Sequence, residues 1–134
     1  MSTNKSKLIA IVDDDLDITE LFYDVLIPIN GIVVFKFTDP IIALEHITLN
    51  LHKYALIISD FKMPGLNGIE FISRVKRLNP YKRTLLMTAF EIKDSLFSQY
   101  LKQEIINGFL QKPIEIKDLL EEVNKQIHIH KIKR

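Results

Sequence analysis

Residues 56–68 read LIISDFKMPGLNG, and this stretch decides the fold. Its apolar run ends abruptly in one carboxylate, Asp60, and a turn-rich segment with Pro64, Gly65 and Gly68 follows. This pattern predicts a buried strand, a loop at its carboxyl end and then a helix. In open α/β sheets, ligands and chemistry lie just outside the carboxyl ends of the strands. Asp60 is therefore the first candidate functional residue.

The composition is that of one globular domain. The chain has 134 residues, of which 47% are hydrophobic and 26% charged, and this length is enough for a single buried core. Its net charge of +1 gives no overall attraction to nucleic acid or to an anionic membrane. The absence of cysteine excludes disulfides, thiol catalysis and thiolate metal sites. The polar N-terminus lacks the apolar segment of a signal peptide, so we expect a cytoplasmic protein.

Hydrophobic periodicity predicts strands and helices that alternate along the chain. Asp39 and Pro40 form a typical helix start, because an acidic cap precedes a proline at the first helical position. Asp15 and Asp17 are both candidate caps for the first helix. Right-handed crossovers between parallel strands bury both faces of a sheet, so the chain is predicted to form one doubly wound α/β domain. The predicted strands are 7–12, 32–37, 55–60, 84–88 and 109–111, and the predicted helices are 16–26, one that begins at 40, 67–78, 91–104 and 116–127.

Four of the five predicted strands end in polar groups suited to chemistry. Asp13 and Asp14 follow the first strand, Asp60 ends the third, Thr88 ends the fourth and Lys112 follows the fifth. In a parallel sheet these ends lie at one edge, so residues that are distant in sequence converge. Neighbouring carboxylates repel one another, and a hard cation such as Mg²⁺ offsets this because it prefers oxygen ligands. Acids with a metal, a lysine and a hydroxyl are typical of phosphoryl transfer.

These residues lie in short motifs whose order resembles the receiver domain of two-component response regulators. The resemblance extends over about residues 7–127 and implies a flavodoxin-like sheet with the strand order 2-1-3-4-5. We therefore assign 1–127 to a receiver domain and 128–134 to a basic C-terminal tail. The motifs are Val12-Asp13-Asp14, Ser59-Asp60 with Met63-Pro64-Gly65, Met87-Thr88-Ala89 and Lys112-Pro113.

The resemblance implies a role for each residue of the site. Asp60 would attack a phosphoryl group, usually from a kinase phosphohistidine, and become an aspartyl phosphate. Asp14 and Asp60 would ligate Mg²⁺ directly, together with the backbone carbonyl of Lys62, and Asp13 would act largely through bound water. Lys112 would hold a phosphoryl oxygen and precede a cis peptide bond to Pro113.

The resemblance also implies a switch that changes a partner surface. Thr88 would move toward the phosphoryl group, Phe109 would rotate inward, and the surface of the fourth helix, fifth strand and fifth helix would change. The implied partners are a sensor histidine kinase or a histidine phosphotransfer protein, and a downstream protein or second copy. Phe97 and Tyr100, which lie among polar neighbours, are predicted to belong to this surface. We expect no direct contact with nucleic acid or membrane.

Some positions depart from the commonest family pattern. Phe109 fits the aromatic switch position but lacks the hydroxyl of a tyrosine. Asn67 stands where an acid is frequent, and we expect it to cap the third helix. Lys62 and Phe90 occupy positions whose side chains flank the phosphoryl group, where a long cation and a bulky ring would hinder attacking water. We therefore predict slow autodephosphorylation.

Two other functions are compatible with the sequence. A receiver-like module could bind its partner without phosphorylation, although every site residue is present. Asp13 and Asp15 also resemble the Asp-x-Asp motif of haloacid-dehalogenase-type phosphatases, as nucleophile and acid/base. That family usually has glycine and threonine after the second acid, where this chain has Leu16 and Asp17. Mg²⁺-dependent phosphorylation would identify the switch, and turnover of a free phosphomonoester would identify the phosphatase.

Overall fold

Strands and helices alternate along the chain in the computed structural model, which describes residues 6–89 and 95–133. A short 3-10 helix, Leu51–Lys53, leads into the third strand. The strands are β1 (Lys7–Val12), β2 (Ile32–Phe37), β3 (Tyr54–Asp60), β4 (Arg83–Thr88) and β5 (Gly108–Gln111). The helices are α1 (Leu16–Leu26), α2 (Pro40–Leu49), α3 (Gly68–Leu78), α4 (Ser95–Lys102) and α5 (Ile116–Lys133).

The strands form one five-stranded parallel sheet in the order β2-β1-β3-β4-β5. This result confirms the predicted doubly wound fold and its strand order. One face is covered by α2 and α3, with Ile47 and Phe71 among the buried residues, and α4 adds Phe97 to the same cluster. The other face is covered by α1 and α5, with Phe22 and Leu119 among the buried residues. Because both faces are covered, the inner strands are apolar throughout rather than alternating.

The central strand, β3, is buried along its whole length. Ile57 packs into the cluster under α2 and α3, whereas Leu56 and Ile58 pack into the cluster under α1 and α5. Side chains of a strand alternate between its faces, so β3 is anchored in both cores. Asp60 is the last residue of this strand, and its backbone position is therefore fixed by the core.

Side-chain caps determine where the first three α-helices begin. Asp15, Asp39 and Asn67 each accept a hydrogen bond from a backbone N–H in the first turn of α1, α2 and α3. The predicted caps at Asp39 and Asn67 are thus confirmed, and Asp15 rather than Asp17 caps α1. A cap of this kind contributes about 1 kcal/mol.

Helix α5 is longer than predicted. It continues to Lys133, whereas the apolar pattern predicted an end near Ile127. His130 is buried on the extended part, so this turn of the helix packs against the domain. The predicted division of the chain into 1–127 and 128–134 therefore falls inside a helix. Neither α5 nor another helix in the described ranges combines the length and the apolar character needed to cross a membrane.

Helix α4 presents a different face to the core from the one predicted. Phe97 was predicted to lie on the partner surface and is only 2% exposed, whereas Leu96 and Leu101 are 42% and 36% exposed. The predicted start of this helix at 91 and the predicted role of Phe90 lie outside the described residues. The prediction was wrong for Phe97 because two aromatic residues that are distant in sequence, Phe61 and Phe109, pack against its ring.

Side-chain hydrogen bonds connect the helices and strands at the end of the sheet opposite Asp60. Oδ1 of Asn107 accepts hydrogen bonds from Nζ of Lys76 at 2.7 Å and from the backbone N–H of Thr84 at 2.9 Å. The side chain of Gln126 donates to the backbone carbonyl of Asn107 at 3.3 Å and accepts from Nε of Arg83 at 2.8 Å. These bonds join α3, β4 and α5 around the point where the chain enters β5.

Candidate functional site: an acidic pocket closed by a lysine

Three carboxylates meet at the carboxyl edge of the sheet. Asp13 and Asp14 follow β1 and Asp60 ends β3, and one oxygen of each lies within 4.8 Å of the others. Asp13 and Asp60 are buried, whereas Asp14 is exposed. The pocket therefore contains two enclosed acids and one that faces solvent.

Backbone contacts hold the loop that follows Asp60. The N–H of Phe61 donates to the carbonyl of Met87 at 2.8 Å, and the N–H of Gly68 donates to the carbonyl of Phe61 at 2.7 Å. A Cβ at Gly68 would overlap the backbone carbonyl oxygen of Asp60 and approach Leu86 to 3.0 Å. Glycine is required at this position because α3 begins in direct contact with the end of β3.

Lys112 closes the pocket from the end of β5. Its Nζ lies 3.0 Å from Oδ1 of Asp60 and 3.1 Å from Oδ2 of Asp13, so one ammonium group bridges two acids. The backbone N–H of Lys112 donates to the carbonyl of Thr88 at 2.7 Å. The peptide bond between Lys112 and Pro113 is cis, as the family resemblance implies. The structure thus brings together an acid and a lysine that are 99 positions apart.

Burial and ion pairing have opposite effects on the acids of this pocket. Desolvation raises the pKa of Asp13 and of Asp60 above the usual range, neighbouring carboxylates raise both further, and Lys112 lowers both only in part. For Lys112, partial burial lowers the pKa, but hydrogen bonds and charge interactions with Asp60 and Asp13 outweigh this and raise it overall. One lysine is therefore not enough to offset the cost of ionising both Asp13 and Asp60 in this pocket. A hard divalent cation fits such a set of oxygen ligands.

The other predicted site residues lie around this pocket. Thr88 ends β4 in a buried position and pairs in register with Gln111 of β5. Lys62 lies in the loop after Asp60 with its side chain exposed. The role of its backbone carbonyl as a metal ligand stays a prediction.

An aromatic cluster lies behind the pocket. The ring of Phe61, the residue after Asp60, packs edge-on against Phe97 of α4 with 5.6 Å between centroids. Phe97 also contacts Phe109 of β5 at 6.5 Å and Tyr100 at 6.3 Å. Sequence reasoning missed Phe61, although an aromatic residue directly after the key acid was a visible signal. The cluster gives the pocket a packed connection to both α4 and β5.

A profile of the response regulator receiver domain family matches residues 9–124 of this chain. This chain belongs to the response regulator receiver domain family. As a receiver domain, it is part of the signalling machinery of two-component systems. Receiver domains interact with histidine kinases or phosphotransfer proteins, and they bind Mg²⁺ at an acidic pocket.

Known proteins similar to this receiver domain include both short and long chains. Sporulation initiation phosphotransferase F of Bacillus subtilis is 29% identical over 119 residues, which cover 89% of this chain and 92% of that protein. The cyclic di-GMP phosphodiesterase response regulator RpfG of Xanthomonas campestris is 29% identical over 112 residues, 83% of this chain but only 29% of that protein. In structure, a receiver domain from Clostridium thermocellum aligns with a TM-score of 0.83 at 24% identity, covering 96% of this chain and 99% of that one.

Proposed function

We propose that this receiver domain is a phosphorylation-dependent switch of a two-component or phosphorelay system, with Asp60 as the phosphoacceptor. The observation that carries this proposal is the position of Lys112 between Asp13 and Asp60, at 3.1 and 3.0 Å, beside the exposed Asp14. This arrangement supplies a nucleophile, a positive charge for phosphoryl oxygens and oxygen ligands for a metal ion.

The proposed transfer is a displacement at phosphorus. A carboxylate oxygen of Asp60 forms a bond to phosphorus while the bond between phosphorus and the donor's histidine nitrogen breaks. The electron pair of the broken bond stays on the imidazole, which takes up a proton from solvent, and the product is an aspartyl phosphate. Lys112 favours the ionised form of Asp60 that this attack requires and is positioned to hold a phosphoryl oxygen afterwards.

The three acids are suited to hold Mg²⁺ during this reaction. Oxygens of Asp13, Asp14 and Asp60 within 4.8 Å of one another form a hard ligand set, to which the carbonyl of Lys62 would add a fourth oxygen. When bound, Mg²⁺ offsets the charge of the carboxylates and neutralises charge on the phosphoryl group. The domain would thus assist its own phosphorylation and dephosphorylation rather than convert a separate substrate.

The signal would reach the surface of α4, β5 and α5 through Thr88 and Phe109. Thr88 ends β4 beside the pocket, and Phe109 pairs with Leu86 of the same strand and contacts Phe97 of α4. A Thr88 hydroxyl drawn toward a phosphoryl oxygen would leave space into which Phe109 can turn. This two-state change would be driven by the single added phosphoryl charge.

The proposed phosphodonor is a sensor histidine kinase or a histidine phosphotransfer protein. The similarity to a sporulation phosphotransferase of nearly the same length supports a phosphorelay role. The downstream partner is proposed to be a protein that binds the surface of α4, β5 and α5.

Intact mass spectrometry after incubation with Mg²⁺ and acetyl phosphate tests the proposal. We expect the wild type to gain one phosphoryl group that hydroxylamine removes, and Asp60→Asn to gain none. If Mg²⁺ binds and neither acetyl phosphate nor a cognate kinase adds mass, the domain is a binding module that acts without phosphorylation. Continuous hydrolysis of a free phosphomonoester, lost in Asp13→Asn, would instead identify a phosphatase.

A further inference from the structure

A groove with a volume of about 280 Å³ lies between β5 and α5, apart from the acidic pocket. Phe109, Leu110 and Ile114 are its apolar lining residues, the first two from β5. Asp118, Glu121 and Glu122 line its helix side. The groove therefore combines apolar lining residues with three acids on its helix side.

In the ranges 6–89 and 95–133, the strand side of this groove is an edge of the sheet without a further paired strand. β5 pairs with β4 and is the last strand in the sheet order, so backbone N–H and C=O groups on its other side face away from the sheet. A Cβ at Gly108 would lie 2.8 Å from Oε1 of Glu122 and 2.9 Å from Leu85, so α5 approaches the strand closely at its start. The groove consequently opens toward the carboxyl half of β5.

The lining of the groove contains three acids and neither lysine nor arginine. Within the part of the chain that the structure describes, Asp118 and Glu121 form no ion pair, whereas Glu122 lies 3.9 Å from Nζ of Lys125 and also interacts with the charge of Arg83. The described helix α4, which lies on the other side of β5, has a single charged residue, Lys102. Asp118 and Glu121 are therefore available to a cationic ligand of the groove.

We propose that this groove binds an extended, basic segment of a partner protein, which adds to β5 as a further strand. Strand addition beside a helix is a recurrent mode of peptide recognition, in which backbone hydrogen bonds give affinity and alternate side chains give specificity. Lysine or arginine at alternate positions would face Asp118 and Glu121, while apolar side chains between them would pack on Leu110 and Ile114.

This inference names the chemistry of the downstream partner and rests on the proposed switch, because Phe109 lines both the groove and the aromatic cluster. The charges favour a different protein over a second copy of this chain. A symmetric pair of copies would present the same acidic face twice, with Lys102 as the one cation that the described part of α4 offers.

Fluorescence anisotropy with two labelled peptides of blocked termini tests the proposal. One peptide alternates lysine and valine, and the other alternates glutamate and valine. We expect the lysine peptide to bind the protein in at least one of two states, phosphorylated or unmodified. We expect the glutamate peptide to bind neither state. Glu121→Lys should weaken binding at least about tenfold, whereas Glu45→Lys, an exposed acid on α2, should leave it unchanged. Methylation of alternate amide nitrogens of the lysine peptide should abolish strand pairing and binding.

Three results would overturn the proposal. The first is equal binding of the two peptides, and the second is equal weakening of lysine-peptide binding by the substitutions at Glu121 and Glu45. The third is a concentration-dependent dimer in sedimentation that Glu121→Lys dissociates. Phosphorylation is followed in the same samples by intact mass. If the protein gains no phosphoryl group but binds the lysine peptide in a way that depends on Glu121, the proposed phosphorylation switch is wrong and the proposed peptide binding stands. The two failures are therefore distinguishable.

Discussion

At the scale of single residues, burial makes the ionised form of Asp60 costly to the metal-free fold, because it raises the pKa of this carboxyl group. Because its pKa is raised in the folded state, mainly by desolvation, the folded protein binds this proton more readily than the unfolded chain. The contribution of Asp60 to the free energy of unfolding therefore falls as the pH rises above 3.8, the ordinary pKa of an aspartate side chain. We predict that Asp60→Asn raises the free energy of unfolding at pH 7 by on the order of 1 kcal/mol, measured by urea denaturation with EDTA. A less stable variant would contradict this reading.

The same residue predicts how Mg²⁺ affects stability. Mg²⁺ at about 100 times its dissociation constant should stabilise the wild type by about 2.7 kcal/mol, because it binds the folded state alone. Asp60→Asn should lose most of this gain. Asp17→Asn, which changes an exposed acid outside the pocket, should keep it. The comparison needs one urea denaturation series with Mg²⁺ and one without for each of the three proteins. An equal gain in the free energy of unfolding in all three would show that Asp60 is not a metal ligand.

At the scale of secondary-structure elements, the junction of β3 and α3 depends on Gly68. A methyl group there would collide with the carbonyl oxygen of Asp60, so Gly68→Ala should lower the free energy of unfolding by about 3 kcal/mol or more. Gly31→Ala is the matched control, because Gly31 has a positive φ of 79° but no atom within 4 Å of the position that a Cβ would take. It should cost only about 1 kcal/mol. Thermal unfolding of both variants checks the order, and a larger loss at Gly31 would refute it.

The connection between α3 and β5 predicts a pH dependence that centres on Lys76. Burial, and then the charge of Arg83, lowers the pKa of Lys76 to about 8 from an ordinary value of 10.5. The folded protein thus releases this proton before the unfolded chain does, and the wild type gains stability as the pH rises through that interval. Relative to Lys76→Met, the wild type should be more stable at about pH 10 than at pH 7. Parallel urea denaturation of both proteins measures this, and a constant difference would argue against the lowered pKa.

At the scale of the whole molecule, the order of the strands predicts the order of amide exchange. β3 is buried throughout and anchored in both cores, whereas β2 and β5 are edge strands. Amide exchange is slowest where opening requires global unfolding. We predict the slowest exchange in β1 and β3 and the fastest among the strands in β5, measured by hydrogen–deuterium exchange with mass spectrometry. Exchange in β5 as slow as in β3 would show that the edge is covered.

The sequence was enough to predict the alternation of strands and helices, because buried parallel strands are apolar throughout and helices repeat their apolar residues every three to four positions. It also placed Asp13, Asp60 and Lys112 at strand ends, and a parallel sheet brings such ends together. The burial of Phe97 could not be predicted, since it depends on the rings of Phe61 in the loop after β3 and of Phe109 in β5. The extension of α5 was missed because its last turns are rich in polar and charged residues.

The hydrogen bonds that gather at Asn107 have a mechanical consequence for β5. They fasten the start of the strand to three neighbouring elements, while its far end carries Lys112. The carboxyl end of β5 is held by backbone pairing with β4 and lacks such a set of bonds to three elements, so we expect any displacement of the strand to be greatest near the lysine. We therefore expect phosphorylation of Asp60 to move the end of β5 near Lys112 more than the end near Asn107. The first turns of α5, which follow Lys112, should move with it.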